Sequence, residues 1–266
     1  MSPGEQAESL IDELAIRDPK DLDVEAIAFD AGMVVVYREL DGCAASLIGV
    51  GNRAIATIRR SSSRGRDRFS IGHELGHWTM HRGRSFVCRV DDIGENLAAN
   101  TEVEKAADVF AAHLLMPGTL FKPATKDILH PKFSDLENLG RTFQTSLLAT
   151  ALRLVRLDIY PIVLASYTTG GLRWTLRSPS VPSRWWLKPG LDADSFAYDL
   201  IHRGRQSDGV GKQSAEAWFN NDDASHFEVV EECLPYGSDQ ALVLITMTCD
   251  MLERTKDPDL WTGQHS

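Results

Sequence analysis

The 266-residue sequence has no segment that could direct the chain to or across a membrane. Its first ten residues are polar and acidic, without the basic start and apolar run of a signal peptide. The longest apolar stretches, such as 241–247, are far shorter than the roughly 20 residues that span a bilayer. We therefore expect a cytoplasmic protein with no membrane partner.

Cysteine is scarce and scattered along the chain. The four cysteines are Cys43, Cys88, Cys233 and Cys249, and no two of them form a Cys-x-x-Cys pair. This spacing argues against a disulfide framework and against a cysteine zinc knuckle, and it favours a reducing cytoplasm.

Basic residues are also fewer than acidic ones, at 28 against 38, which gives a net charge of −10. Such a chain is repelled overall by nucleic acid and anionic lipid, so direct nucleic-acid binding is not expected. One basic cluster departs from this balance: Arg59, Arg60, Arg64, Arg66 and Arg68. It fits a solvated loop, and alternatively a patch that receives an acidic stretch of a protein partner.

Helical and strand patterns alternate without any internal repeat, which excludes a solenoid. The periodicity predicts helices over 5–16, 22–31, about 66–81, 101–116 and about 134–156, and strands over 33–37 and 54–59. The pattern changes at Pro161, after which a hairpin around Gly170-Gly171 and five of the six tryptophans follow. We predict an α+β protein with one domain over 1–160, including a helical segment at 134–157, and a smaller α+β domain over 161–266.

The predicted helix 66–81 contains the sequence His73-Glu74-Leu-Gly-His77. Residues four apart share a helix face with Cβ atoms about 5–6 Å apart, so both imidazoles can reach one Zn²⁺ at about 2.0–2.1 Å. Glu74 is directed to the side of the metal, where it can hold the attacking water and take its proton. We predict His73 and His77 as zinc ligands and Glu74 as the general base.

Two glycines, Gly72 and Gly76, lie beside these histidines at the same spacing. Each costs a helix about 1 kcal/mol relative to alanine, which favours a close approach by another backbone. The predicted helix 101–116 offers such a partner, because Glu104 and Asp108 share its face with small residues: Ala107, Ala111 and Ala112.

Glu104 is therefore the expected third metal ligand, and Asp108 is expected to accept a hydrogen bond from the second nitrogen of a ligating histidine. A different role remains open for Glu104, because Thr101-x-x-Glu104 is also a capping box. The acidic residues that could replace it as ligand are Glu102, Glu95, Asp92 and Asp91. We interpret His81 as a cap at the end of its helix and His113 as structural.

The segments RFSIGHELGHWTMH and EKAADVFAAHLLMP closely resemble the ImmA/IrrE family of bacterial metallopeptidases. The resemblance covers about residues 5–158. It implies a zincin-like peptidase domain, a small sheet with active-site helices, that binds Zn²⁺ through His73, His77 and Glu104. It further implies a cytoplasmic endopeptidase that cleaves a helix-turn-helix repressor of the XRE type, and so relieves repression of mobile elements or stress genes. We expect this repressor to be a separate protein.

Two hypotheses from other functional classes remain open. Residues 139–154 space their apolar side chains like a helix-turn-helix, which would suit a DNA-binding regulator with structural zinc, yet they have no clear basic face. Alternatively, 161–266 is a regulatory or sensor-like domain in which Trp174, Trp185, Trp186 and Trp218 line a ligand pocket. Core packing is the favoured interpretation of the same tryptophans.

Overall fold

The computed structural model describes residues 1–82, 84–89, 102–204 and 210–254, which form a mixed α+β protein with two sheets. The chain divides into two compact units. The first comprises Met1–Leu129 and Ser134–Arg153, and the second comprises His130–Phe133 and Leu154–Ser266. The domain boundary that the sequence suggests, between 160 and 161, stays a prediction.

The first unit contains a four-stranded sheet and the helices that cover one of its faces. Its strands have the order β1-β3-β2-β4, with β1 parallel to β3 and the other pairs antiparallel. The elements in this part of the chain are α1 (Pro3–Glu13), α2 (Val24–Asp30), β1 (Met33–Tyr37), β2 (Cys43–Val50), β3 (Arg53–Ile58), α3 (Arg64–Met80), β4 (Phe86–Arg89), α4 (Glu102–Leu115), α5 (Gly118–Ala124), α6 (Phe133–Phe143) and α7 (Leu147–Arg156).

Residues of β3 alternate between the two faces of this sheet. Ala54, Ala56 and Ile58 are buried, whereas Arg53 and Ile55 are exposed. Because successive side chains of a strand point to opposite faces, one face of the sheet packs on the helices and the other faces outward. Helix α3 lies on the buried face, against β2 and β3.

The expected close approach between α3 and α4 is present. A Cβ atom added at Gly72 would lie 3.3 Å from Ala111 Cβ, and one added at Gly76 would lie 3.2 Å from Ala107 Cα. These distances are shorter than ordinary van der Waals contact, so the two glycines are what allow the helices to come together.

Predictions for the connecting elements are less accurate. The single helix expected over about 134–156 is wrong, because Gln144 has φ 55° and divides it into α6 and α7. There the Thr145 amide donates to the Gly140 carbonyl oxygen at 2.9 Å, which ends α6. The strands β2 and β4 and the helix α5 are not predicted either, since they are short or rich in small residues and proline.

The basic cluster does not form one continuous surface. Arg68 is buried, and its guanidinium donates to the Leu22 carbonyl oxygen at 2.9 Å. Arg60 lies over the ring of Tyr37, with 3.9 Å from its Cζ to the ring centroid. Arg68 is therefore a structural residue, and any docking patch is restricted to the other four arginines.

The second unit is built on a five-stranded antiparallel sheet of order β6-β5-β9-β8-β7. Its elements are β5 (Ile162–Thr168), β6 (Gly171–Arg177), α8 (Phe196–Arg203), β7 (Val210–Ser214), β8 (Glu228–Tyr236), β9 (Gln240–Met247) and α9 (Cys249–Arg254). The hairpin expected at Gly170-Gly171 joins β5 to β6. None of the helices in the described parts of the chain is both long and apolar enough to cross a membrane.

The tryptophans of the second unit have different environments. Trp185 and Trp218 are buried in its hydrophobic core, where Trp185 packs on Phe219, whereas Trp186 is 64% exposed. The indole N–H of Trp218 donates to the buried Glu231 carboxylate at 3.1 Å. Core packing therefore accounts for two of the four tryptophans that the sequence placed in a pocket.

The contact between α3 and α4 can be tested with Gly76→Ala. The new Cβ would lie 3.1 Å from Phe110 Cβ and 3.2 Å from Ala107 Cα, so the helices must separate. Overpacking costs about 1–3 kcal/mol and the gain in helix propensity is about 1 kcal/mol, so we expect a net loss of up to about 2 kcal/mol in the free energy of unfolding.

Chemical denaturation measures this loss, with Gly190→Ala as the control. A Cβ added at Gly190 would meet no atom within 4 Å, so the control should stay within about 0.5 kcal/mol of wild type. Equal stability of the two variants would contradict the packing argument.

Candidate metal centre

Two imidazoles and one carboxylate converge between α3 and α4. The Nε2 atoms of His73 and His77 lie 3.0 Å apart, and Glu104 Oε2 lies 3.1 Å from the first and 3.3 Å from the second. Three ligand atoms around a tetrahedral zinc at about 2.0–2.1 Å are separated by about 3.3–3.4 Å, close to this triangle. The side chains of both histidines are 0% exposed and that of Glu104 is 17% exposed.

Asp108 fixes the orientation of His73. Its Oδ1 lies 2.9 Å from His73 Nδ1, one helical turn after Glu104 on the same face of α4. With the proton on Nδ1 donated to this carboxylate, the lone pair of Nε2 is directed at His77 and Glu104. Asp108 therefore has the contact expected from the sequence.

The charges of this cluster depend on one another. Burial alone would lower the pKa of His73, but hydrogen bonds to Asp108 and Glu104 outweigh it and raise the pKa to about 9. Burial would raise the pKa of Glu104, yet its bonds to both imidazoles lower that pKa to about 2. Without a metal the cluster thus retains a proton at neutral pH, and a cation bound between the three side chains would replace it.

Glu74 differs from Glu104 in its surroundings. It is 0% exposed, and neither carboxylate oxygen has a conventional hydrogen-bond partner among the described residues. Burial raises its pKa to about 7, against the opposing effects of the nearby His73 and of a hydrogen bond with the Cys88 thiol, a weak donor. A carboxylate with this pKa can accept a proton and return it near neutral pH.

Cys88 is a member of the cluster that the sequence does not reveal. Its Sγ and the ligand atoms of His73, His77 and Glu104 all lie within 4.8 Å of one another. The residue is placed there by β4, where Cys88 pairs with Ala45 on β2. A solitary cysteine carries no metal-site signal in the sequence, and only the strand pairing reveals its position.

The remaining candidates lie elsewhere or outside the described residues. The side chain of Glu102 is 91% exposed and pairs with Lys105, so it is not in the cluster. Thr101, the first residue of the capping box, is outside the described residues, as are three further acidic candidates: Glu95, Asp92 and Asp91. His81 is the C-cap of α3, and His113 Nδ1 lies 2.8 Å from Glu8 Oε1 on α1.

These donors suit a metal ion, and zinc in particular. Two imidazole nitrogens and a carboxylate oxygen are the donor set of many catalytic zinc sites, which keep a fourth position for water or substrate. A water at that fourth position would need a proton acceptor nearby. The buried Glu74 carboxylate, whose oxygens have no conventional hydrogen-bond partner among the described residues, can serve as this acceptor.

Two comparisons show similarity to known proteins. Residues 28–155 match the model of the IrrE N-terminal-like domain, a peptidase family. Among solved structures, a Mycobacterium tuberculosis transcriptional regulator has a similar fold, with a TM-score of 0.57 and 14% identity over 92% of this chain and 75% of that chain. A search of curated proteins gives no match.

The role of Glu104 can be separated from that of its neighbours by substitution. Glu104→Gln replaces a charged oxygen donor with a neutral amide, so zinc affinity should fall sharply while α4 stays intact. Asp108→Ala should weaken zinc less, by the ~10–100-fold typical of a lost hydrogen bond to a ligating histidine. The exposed Glu102→Gln is the control and should bind zinc like wild type. Metal stoichiometry and competition with a chelator measure these effects, and zinc lost only from the Glu102 variant would overturn the assignment.

The metal-free cluster should make zinc binding depend on pH. The pKa of His73 is raised from 6.5 to about 9, so metal must displace a proton at any pH below about 9. Affinity should therefore rise by up to about tenfold per pH unit between about pH 7 and 8. Asp108→Asn removes a charge that raises this pKa and should flatten the dependence. Isothermal titration in two buffers of different ionisation enthalpy counts the protons released; no proton release at pH 7 would contradict the expectation.

Proposed function

From the match of residues 28–155 to the IrrE N-terminal-like domain, we propose that the protein is a zinc-dependent endopeptidase of the ImmA/IrrE family. The observation that carries the proposal is the triangle of His73 Nε2, His77 Nε2 and Glu104 Oε2, with sides of 3.0–3.3 Å, beside the buried Glu74. These three side chains would hold the ion, and Asp108 would orient His73.

When bound, zinc would supply Lewis acidity that lowers the pKa of a water towards neutrality and polarises the scissile carbonyl. The protein's own contribution is proton transfer by Glu74. Its buried carboxylate, with a pKa near 7, takes the proton of the attacking water and passes it to the leaving amine. Phe86 stacks on the His77 ring at 4.1 Å between centroids and holds that imidazole in place.

The position of β4 fits a peptide substrate. It is the last strand in the sheet order, and no described strand pairs with its outer edge. Backbone groups of an extended peptide can add to such an edge, which would carry a scissile bond past the cluster that Phe86 and Cys88 of β4 adjoin. An endopeptidase needs this kind of sequence-tolerant backbone recognition.

A helix-turn-helix repressor of the XRE type, cleaved in the cytoplasm, is the substrate that we assign to this activity. The assignment relies on the family resemblance, and it is compatible with the similar solved structure, which is that of a transcriptional regulator. Cleavage would relieve repression of the genes that the repressor controls. Exposed arginines near the start of α3, such as Arg64 and Arg66, offer a surface for an acidic stretch of such a partner.

A direct role in DNA binding is less well supported. In α7, Arg153 is buried, and its guanidinium donates to Glu8 Oε1 at 2.9 Å and to the Met116 carbonyl oxygen at 2.8 Å. This arginine therefore ties helices together and is not available to a phosphate backbone. The second unit supplies none of the donors of the metal cluster, and we assign residues 161–266 a regulatory or sensor-like role.

Glu74→Gln tests the peptidase mechanism. Because Glu74 handles protons without binding metal, the variant should keep its fold and near-normal zinc content. It should lose cleavage by several orders of magnitude, each about 1.4 kcal/mol of barrier being tenfold in rate. The assay incubates zinc-loaded protein with the repressor encoded beside its gene and looks for a discrete fragment. Glu102→Gln is the matched control and should cleave normally; undiminished cleavage by Glu74→Gln would refute the mechanism.

A further inference from the structure

The thiol of Cys88 has an environment that apolar packing does not explain. The residue is 1% exposed, and buried cysteines usually act as small apolar side chains. Here the groups within 4.8 Å of Sγ include three polar ligand atoms, and the Glu74 carboxylate lies against the thiol. A cysteine in a hydrophobic core is expected to be surrounded by apolar side chains, whereas this one lies next to a cluster of metal-binding groups.

The distances place the sulfur at or close to a ligand position. In a tetrahedral zinc site with Zn–S of about 2.3 Å and Zn–N of about 2.0–2.1 Å, sulfur and nitrogen are about 3.5 Å apart. The Cys88 sulfur is at most 4.8 Å from each of the other donors, so a shift of no more than about 1.3 Å would bring it to this separation. Cys88 lies on β4, the strand at the end of the sheet order.

Glu74 supplies a second observation at the same place. Its two oxygens are buried without a conventional hydrogen-bond partner among the described residues, and they face the region that the thiol adjoins. The attacking water of the proposed reaction must bind in front of this carboxylate. Sulfur at the metal and water at the metal therefore compete for one position.

We propose that Cys88 is a fourth metal ligand, which closes the coordination sphere of His73, His77 and Glu104 and holds the peptidase latent. The sulfur binds as thiolate, and the thiol proton passes to the Glu74 carboxylate or to solvent. Substrate binding along β4 withdraws the sulfur, which takes back a proton from Glu74 or from solvent, and this opens the position for water. The latency rests on the proposed function; the ligation does not.

Cobalt-substituted protein reports on the sulfur directly. Wild type should show a near-ultraviolet sulfur-to-cobalt charge-transfer band, Cys88→Ser should lose it, and Cys43→Ser should keep it. Cys43 is the control because it lies on the adjacent strand β2 and is not in the cluster. Zinc affinity should fall about tenfold or more in Cys88→Ser and stay unchanged in Cys43→Ser.

Zinc-edge X-ray absorption of the wild type avoids any effect of the substitution on folding. A sulfur neighbour at about 2.3 Å supports the ligation, and a shell of nitrogen and oxygen alone at about 2.0–2.1 Å overturns it.

The latency is tested by the rate of cleavage. Cys88→Ser should cleave the repressor faster than wild type, and Cys43→Ser should cleave it at the wild-type rate. A rate for Cys88→Ser at or below that of wild type overturns the latency. If no variant cleaves the repressor while the sulfur neighbour is present, the ligation stands and the proposed peptidase function fails.

Discussion

The contact between the glycine face of α3 and the alanine face of α4 determines where the ligands of the candidate metal centre lie. His73 and His77 project from α3, and Glu104 and Asp108 project from α4, so the separation of the two helices sets every distance between the two pairs. Gly72 lies against Ala111, and Gly76 against Ala107 and Phe110. Larger side chains at these positions would move the helices apart and open the triangle of donor atoms.

Electrostatics explains why this arrangement suits a cation. Burying two imidazoles beside carboxylates is costly unless the charges are paired, and without a metal the cluster achieves this by holding a proton. A divalent ion between the same atoms would compensate the charge of Glu104 and accept both imidazole lone pairs. Glu74, on the same helix as the histidines, is buried next to this cluster, and burial raises its pKa to about 7. The packing of α4 on α3 therefore creates two different carboxylate environments, which fit the proposed roles in metal binding and in proton transfer.

Much of this site could be predicted because the residues that form it follow short sequence patterns within single helices. Helical periodicity places His73 on the same face as His77, and Glu104 on the same face as Asp108, and the small residues beside them indicate which faces meet. Cys88 could not be found in this way. It is carried by a four-residue strand whose position depends on pairing with β2, a non-local contact that no short pattern encodes. The break at Gln144 could not be predicted for a related reason, since a non-glycine residue with positive φ gives no warning in the sequence.

Anomalous diffraction at the zinc edge from crystals of the zinc-loaded protein tests the central claim most directly. The account predicts one strong peak between α3 and α4, at about 2.0–2.2 Å from His73 Nε2, His77 Nε2 and a carboxylate oxygen of Glu104. A peak elsewhere, or one that Glu104 does not contact, would contradict it.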